Sequence, residues 1–200
     1  PWLKISAAGT VRQLATQGDA DLTGTLACNW PAFSERHRAV LGESLELVGH
    51  EAKPFALKGP LWPAVASANQ RVSNELTGSV SLPWSAIQAR GLSVGPAELR
   101  ADVNRGVLHL GPVDAALGTG RLKFRSQLAL NEPLLTLNVG KGPLLENVRL
   151  SPELCRGWIK YALPVLAESA VAEGQFSLTL VADGSIPLAA PTATANVAGV

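Results

Sequence analysis

Apolar and polar residues alternate along much of the chain, and this alternation predicts β-strands. Between residues 72 and 84, Leu76, Val80 and Leu82 share one parity, whereas hydroxyl and acidic side chains hold the other. Since successive side chains of a strand point to opposite faces, this segment has one apolar and one polar face.

The same alternation is clearest between residues 121 and 130. Apolar side chains stand there at Leu122, Phe124, Leu128 and Leu130, and mostly basic or amide side chains lie between them. Less regular alternation occurs at 2–14, 22–30, 44–47, 99–104 and 176–180, and we expect nine or ten strands in the chain as a whole. The 19 glycines and 14 prolines are spread evenly as turns, and 118–120 is typical of a hairpin turn. The sequence therefore predicts a mainly β fold with a curved antiparallel sheet, either a β-groove or an open sandwich.

One segment, near residues 152–168, has helical periodicity instead. Ser151-Pro152-Glu153 is a typical helix start, with a capping hydroxyl, a first-turn proline and a carboxylate near the positive end. The apolar residues that follow fall on one broad face at 3.6 residues per turn. We expect this amphipathic helix to lie on the apolar face of the sheet. A weaker helical pattern runs through residues 31–40.

Two segments of the chain resemble each other. Residues 21–33 align without gaps on residues 75–87, with an acid, Leu, Thr, Gly, a hydroxyl, an aliphatic residue, Trp and Ala recurring in place. Any two amphipathic strands share some of this pattern, but the matched Gly and Trp favour a repeat. A repeated strand unit suggests a sheet that grows by stacking.

Composition and charge narrow the possible functions. Charged residues make up 16% of the 200 residues, against about 25% in average soluble domains. The net charge of +1 gives no basic field for nucleic acid. The chain begins at Pro1 and contains no methionine, so we expect residues 1–200 to be one β-rich segment of a longer protein. No apolar run is long enough for a membrane-spanning helix, so we expect any membrane anchor outside this chain.

Candidate catalytic chemistry is sparse. His37, His50 and His109 are not paired at metal-ligand spacing, and no nucleophile elbow, phosphate-binding loop or carboxylate pair stands out. Cys28 and Cys155 either form one disulfide or are two buried thiols. We therefore expect a protein that is not an enzyme and has no cofactor or metal.

The five tryptophans are the largest available contact surfaces. Trp30, Trp84 and Trp158 share the parity of apolar neighbours, which favours core packing over a sugar-stacking role. Trp62 stands between two prolines and is the best candidate for a partly exposed ring.

A more specific pattern occupies residues 106–122. Gly106–Val113 followed by Ala116–Leu122 has the form G-x-L-x-L-x-P-V…L-x-x-G-x-L. This resembles the C-terminal region of AsmA-like proteins, an envelope group that includes TamB-type proteins. Residues 92–101 look like the strand that precedes this pattern, and residues 172–178 repeat its strand opening. The resemblance covers about residues 75–182, while residues 1–70 match less clearly.

The resemblance implies an elongated, strongly curved sheet with an apolar concave face. It also implies a location on the periplasmic side of the cell envelope and a role in lipid transport or outer-membrane assembly. The partner would be phospholipid or another acyl-chain lipid. Candidate groove-lining residues are Leu122, Phe124, Leu128, Leu130, Phe176, Leu178 and Leu180.

Two alternatives remain at this point. Each of the seven candidates is also compatible with an ordinary protein core. A closed β-sandwich, serving as a structural or adhesion module that binds sugar or protein, would pack its two apolar faces together. A continuous open groove distinguishes the two architectures.

Overall fold

The chain forms a large open antiparallel β-sheet with one short helix. The computed structural model describes residues 1–38, 45–63, 72–89, 92–132, 135–150 and 174–187. The helix α1 is Trp30–Arg36, and the strands are β1 (Leu3–Arg12), β2 (Asp19–Asn29), β3 (Leu45–Val48), β4 (His50–Pro60), β5 (Thr77–Trp84), β6 (Ala86–Ala89), β7 (Leu92–Val94), β8 (Ala97–Asn104), β9 (Val107–Leu117), β10 (Gly120–Ala129), β11 (Thr136–Val139), β12 (Gly142–Leu150), β13 (Gly174–Leu180) and β14 (Gly184–Pro187). The helix expected near 152–168, with Cys155 and Trp158, lies outside the described residues.

The main path of the sheet runs β1-β2-β4-β5-β8-β9-β10-β11-β14, with antiparallel neighbours throughout. β11 and β12 pair with the same edge of β10, β11 at residues 126–128 and β12 at residues 121–122, and β13 pairs with β12. Within the described ranges the sheet does not close on itself. The mainly β architecture and the curved antiparallel sheet predicted from the sequence are thus confirmed.

Paired residues place the apolar side chains of successive strands on the same face, since directly opposed residues of an antiparallel ladder point the same way. This face extends from the β1 edge to the β14 edge. Its pairs include Ile5–Leu26, Leu22–Leu57, Phe55–Val80, Leu82–Leu99, Leu108–Leu128 and Leu137–Ile186.

A small second layer covers one end of the apolar face. β3, β6 and β7 form their own ladder, which joins the main sheet where Val94 pairs with Leu117. Helix α1 lies beside β3 and is capped by Asn29, whose side chain accepts a hydrogen bond from the Ala32 N–H at 3.1 Å. This helix confirms the helical pattern at 31–40, although it is shorter than expected.

The fully buried core under this layer is small. Leu117 and Val148 form its buried pair, with Val94, Leu145 and Phe176 among the residues packed around them. In the described part of the chain, no large side chain falls below 2% exposure. A few other residues of the apolar face, among them Cys28, Val113 and Val139, are also buried, but most of the face is only half covered.

The β-ladder is irregular on both sides of β10. On one side the β9 register shifts between the partners of Phe124 and Ser126, at Gly111 and Pro112. Bulges of this kind bend a strand and increase the local twist. Gly111 has φ +94°, and a Cβ there would lie 2.6 Å from the Phe124 carbonyl oxygen and 3.0 Å from the Val113 nitrogen.

The bulge yields a stability prediction. We expect Gly111→Ala to lower the free energy of unfolding by about 3 kcal/mol, because it adds both backbone strain and a clash with main-chain atoms. The matched control is Gly118→Ala in the β9–β10 turn. Gly118 also has positive φ, +56°, but a Cβ there meets nothing within 4 Å. Its expected cost is about 1 kcal/mol. Urea unfolding measures the loss of unfolding free energy in each variant, and an equal loss in the two would contradict the role assigned to the bulge.

Candidate functional site

The first feature of the apolar face is a cleft over its N-terminal half. It has a volume of about 390 Å³. β1, β2, β4, β5, β8 and β9 supply its lining, which consists of Ile5, Ala7, Leu22, Leu26, Phe55, Ala56, Leu57, Gly78, Ser79, Val80, Ala101, Val103 and Leu108. Ile5, on the edge strand β1, is 56% exposed.

A second apolar cleft, of about 350 Å³, lies where the small layer meets the main sheet. Its lining residues are Trp30, Leu47, Leu82, Trp84, Ile87, Leu99, Val113, Leu122 and Phe124. The two clefts lie side by side, because Val80 and Leu82 are successive same-face residues of β5. Ala101 and Leu99 have the same relation on β8. We call the two clefts together the apolar trough.

Glycines let large side chains lie along the floor of the trough. Gly24 pairs with Phe55, and Gly78 pairs with Leu57. A Cβ at Gly24 would lie 2.9 Å from the Phe55 ring, and a Cβ at Gly78 would lie 2.8 Å from a Leu57 methyl group. The missing side chains therefore give these two large residues room over the neighbouring strand.

Trp30 and Trp84 lie between the main sheet and the small layer, where their indole N–H groups are bonded to the main chain. The Trp84 indole N–H donates to the Gly95 carbonyl at 2.9 Å, and the Trp30 indole N–H donates to the Pro83 carbonyl at 2.5 Å. The β4–β5 pairing ends at Phe55, so the Trp30 bond links the sheet where those strands have separated. With their polar atoms satisfied by the main chain, the rings line the second cleft. Both rings are half-buried rather than part of the buried core. Trp62 is 39% exposed, in agreement with the sequence prediction.

The opposite face of the sheet is polar and ion-paired. Arg121 donates to Asp114 at 2.7 Å, and Lys123 lies 2.8 Å from a Glu146 oxygen. The hydrogen bond from Arg121 lowers the pKa of Asp114. Neither cleft's lining includes an ionisable side chain of the described residues. Lys53, which pairs with Leu26 on the same face, is ion-paired with Glu51 and Glu98.

The structure places the seven candidates from the sequence in different surroundings. Leu122 and Phe124 line the second cleft, and Leu128 pairs with Leu108 of the first cleft. Leu130 follows the end of β10, where its N–H donates to the Gly106 carbonyl at 2.8 Å.

The other three candidates are on β13. Phe176 packs on the core pair Leu117 and Val148, so it contributes to the core under the small layer. Leu178 is 46% exposed, and Leu180 is half-buried opposite Gly142. None of these three lines either cleft of the trough.

Sequence reasoning missed the N-terminal half of the trough as a site. β4 was not predicted as a strand, yet Phe55 and Leu57 form the centre of the first cleft. The available signal was the alternation of Phe55 and Leu57 with Ala56 and Lys58.

Two polar groups are buried on the apolar face. Burial raises the pKa of the Cys28 thiol, which is free. The Ser126 side chain is 4% exposed, and its hydroxyl has no hydrogen-bond partner among the described residues. Its cross-strand neighbours are Leu110 and Val139.

The described residues offer little for other chemistry. They contain no group of three or more His, Cys, Asp or Glu side chains able to hold a metal ion. No helix within the same ranges is long and apolar enough to cross a membrane. The chain matches no protein-family model, and no curated protein or solved structure is significantly similar to it.

The buried hydroxyl gives a second stability prediction. We expect Ser126→Ala to raise the free energy of unfolding by about 1 kcal/mol, because an unsatisfied buried hydroxyl loses its hydration on folding. Urea unfolding would measure the change. Ser6→Ala, on the exposed edge strand β1, is the control and is expected to change stability little. Destabilisation by Ser126→Ala would show that the hydroxyl has a stabilising partner.

Proposed function

We propose that the apolar trough binds the acyl chains of a phospholipid or a similar lipid, and that the chain is a non-enzymatic segment of a cell-envelope protein. The observation that carries the proposal is the half-covered apolar face, which extends across the main sheet. Soluble proteins rarely leave a continuous apolar surface of this extent without a partner.

The lining of the trough suits an acyl chain better than a polar ligand. Its side chains are aliphatic or aromatic, with Ser79 as the one hydroxyl among the residues that line the two clefts. An acyl chain needs only an apolar channel, and each buried methylene contributes about 0.8 kcal/mol. Binding of this kind requires no ionisable group, which also supports a role other than catalysis.

Within this proposal the segment works on the periplasmic side of the envelope, in lipid transport or outer-membrane assembly. The resemblance of residues 106–122 to AsmA-like proteins supports that setting. Attachment to a membrane would come from segments outside this chain. The alternative of a closed sandwich that binds sugar or protein becomes the outcome if the trough takes no lipid.

Quenching of tryptophan fluorescence by a brominated fatty acid tests the proposal. Bromine quenches at contact distance, so a chain in the second cleft should quench Trp30 and Trp84, which line it, and leave Trp62 largely unaffected. We expect Trp84→Phe to remove the Trp84 share of the quenched signal and Trp62→Phe to leave the quenched signal in place. If the quencher has no effect on the wild type, or acts equally on both variants, the trough does not hold the chain.

A substitution inside the trough tests the same site without a tryptophan change. Val80→Thr replaces a methyl by a hydroxyl of similar size in the first cleft. We expect it to weaken fatty-acid binding about fivefold, from the cost of desolvating an unpaired hydroxyl. Ser81→Thr, on the polar face of the same strand, should leave affinity unchanged. A wild-type affinity in Val80→Thr would exclude the first cleft as part of the binding site.

A further inference from the structure

The ladder next to β10 is interrupted on the side of β11 and β12. β11 pairs with residues Ser126–Leu128 of β10, whereas β12 pairs with Arg121 and Leu122. The three residues 123–125 therefore face the five residues 140–144. The β9 bulge at Gly111 and Pro112 lies on the other side of β10 at the same height. Regular pairing is thus interrupted on both sides of Arg125.

A polar cleft occupies this region, with a volume of about 610 Å³. The polar residues of its lining are His109, Arg125, Ser126, Gln127, Asn138 and Asp183. A neighbouring cleft of about 370 Å³ shares Pro112, Arg125 and Gly140 with it and adds Lys141. The volume of the polar cleft lies in the range of small-molecule sites, about 300–1,000 Å³.

The charges around the polar cleft are unevenly matched. Arg121 and Lys123, which precede Arg125 on the polar face of β10, each have a carboxylate partner at 2.7–2.8 Å. Within the described ranges, Arg125 and Lys141 have no carboxylate within ion-pair distance.

Arg125 is instead held by the main chain. Its guanidinium donates to the Lys141 carbonyl at 3.4 Å, and its Nε lies 3.0 Å from the position a Cβ would take at Gly140. The carboxylate of Asp183, which also lines the cleft, accepts the Lys141 backbone N–H at 2.7 Å. The cleft therefore contains a positioned guanidinium that forms no ion pair with a carboxylate of the described residues.

We propose that the polar cleft binds an oxyanion of the phosphate class, with Arg125 as its principal ligand and Lys141 as a second cation. A guanidinium presents a planar set of donors that matches phosphate oxygens in pairs. His109, Gln127 and Asn138 add side chains that can bond to the rest of a phosphoester. The oxyanion belongs either to a soluble phosphoester or to a lipid head group. The inference does not depend on what occupies the trough.

Binding measurements with two probes test the site. The first probe is glycerol 3-phosphate, whose binding is measured by titration calorimetry. The second is a vesicle of equal parts phosphatidylglycerol and phosphatidylcholine, whose binding is measured by co-sedimentation. We expect saturable binding of at least one probe. Arg125→Gln should weaken it about tenfold or more, as expected for the loss of charge-assisted hydrogen bonds. Lys141→Gln should weaken it less.

The matched control is Arg12→Gln, on the polar face of the edge strand β1, which changes net charge equally. It should leave affinity unchanged, and circular dichroism checks that all three variants are folded. Binding of glycerol 3-phosphate identifies a soluble phosphoester site, and binding of vesicles alone identifies a head-group site. If neither probe binds, or if Arg12→Gln weakens binding as much as Arg125→Gln, the assignment is overturned.

Discussion

An antiparallel sheet with one apolar face is stable in water only if something covers that face, and the structure follows from how this constraint is met. In this chain the apolar side chains of nine main-path strands fall on one side. The strands β3, β6 and β7, with helix α1, cover one end of it. There Leu117 and Val148 become buried. Most of the rest of the face is a trough of half-buried aliphatic and aromatic side chains.

The same sheet separates two kinds of chemistry. No ionisable side chain of the described residues lines the trough. Its floor consists of paired apolar residues and of glycines, and the glycines leave space for the side chains of Phe55 and Leu57. The opposite face carries ion pairs such as Arg121–Asp114, and it opens into the polar cleft where the ladder around β10 is interrupted. An acyl chain on one face and an oxyanion on the other are the ligands these two surroundings favour.

Alternation predicted much of this architecture. The β10 pattern of Leu122, Phe124 and Leu128 identified a strand and its apolar face, and Gly118 and Thr119 do form the β9–β10 turn. A proline made strand β4 harder to predict. Pro54 interrupts the pattern of β4, but it lies just beyond the last β4–β5 pair, so β4 tolerates it.

The location of the site was harder to predict, because it depends on which strands become neighbours. Local periodicity gives the inward parity of Leu22, Phe55 and Val80, but β2, β4 and β5 are brought together only by the strand order. Phe176 illustrates the alternative that the sequence left open. Its parity is correct, yet its neighbours Leu117 and Val148 make it part of the core. The gap around Arg125 depends on register shifts in two ladders, which leave no periodic signal in the sequence.

Native mass spectrometry of the chain, purified after export to a bacterial periplasm, tests the central claim that the apolar face holds lipid. The account predicts a bound species with the mass of a phospholipid, released by solvent extraction and much reduced in the folded Phe124→Asp variant. A lipid-free monomer, with no lipid recovered on extraction, would contradict it and indicate that the apolar face is closed by the protein itself.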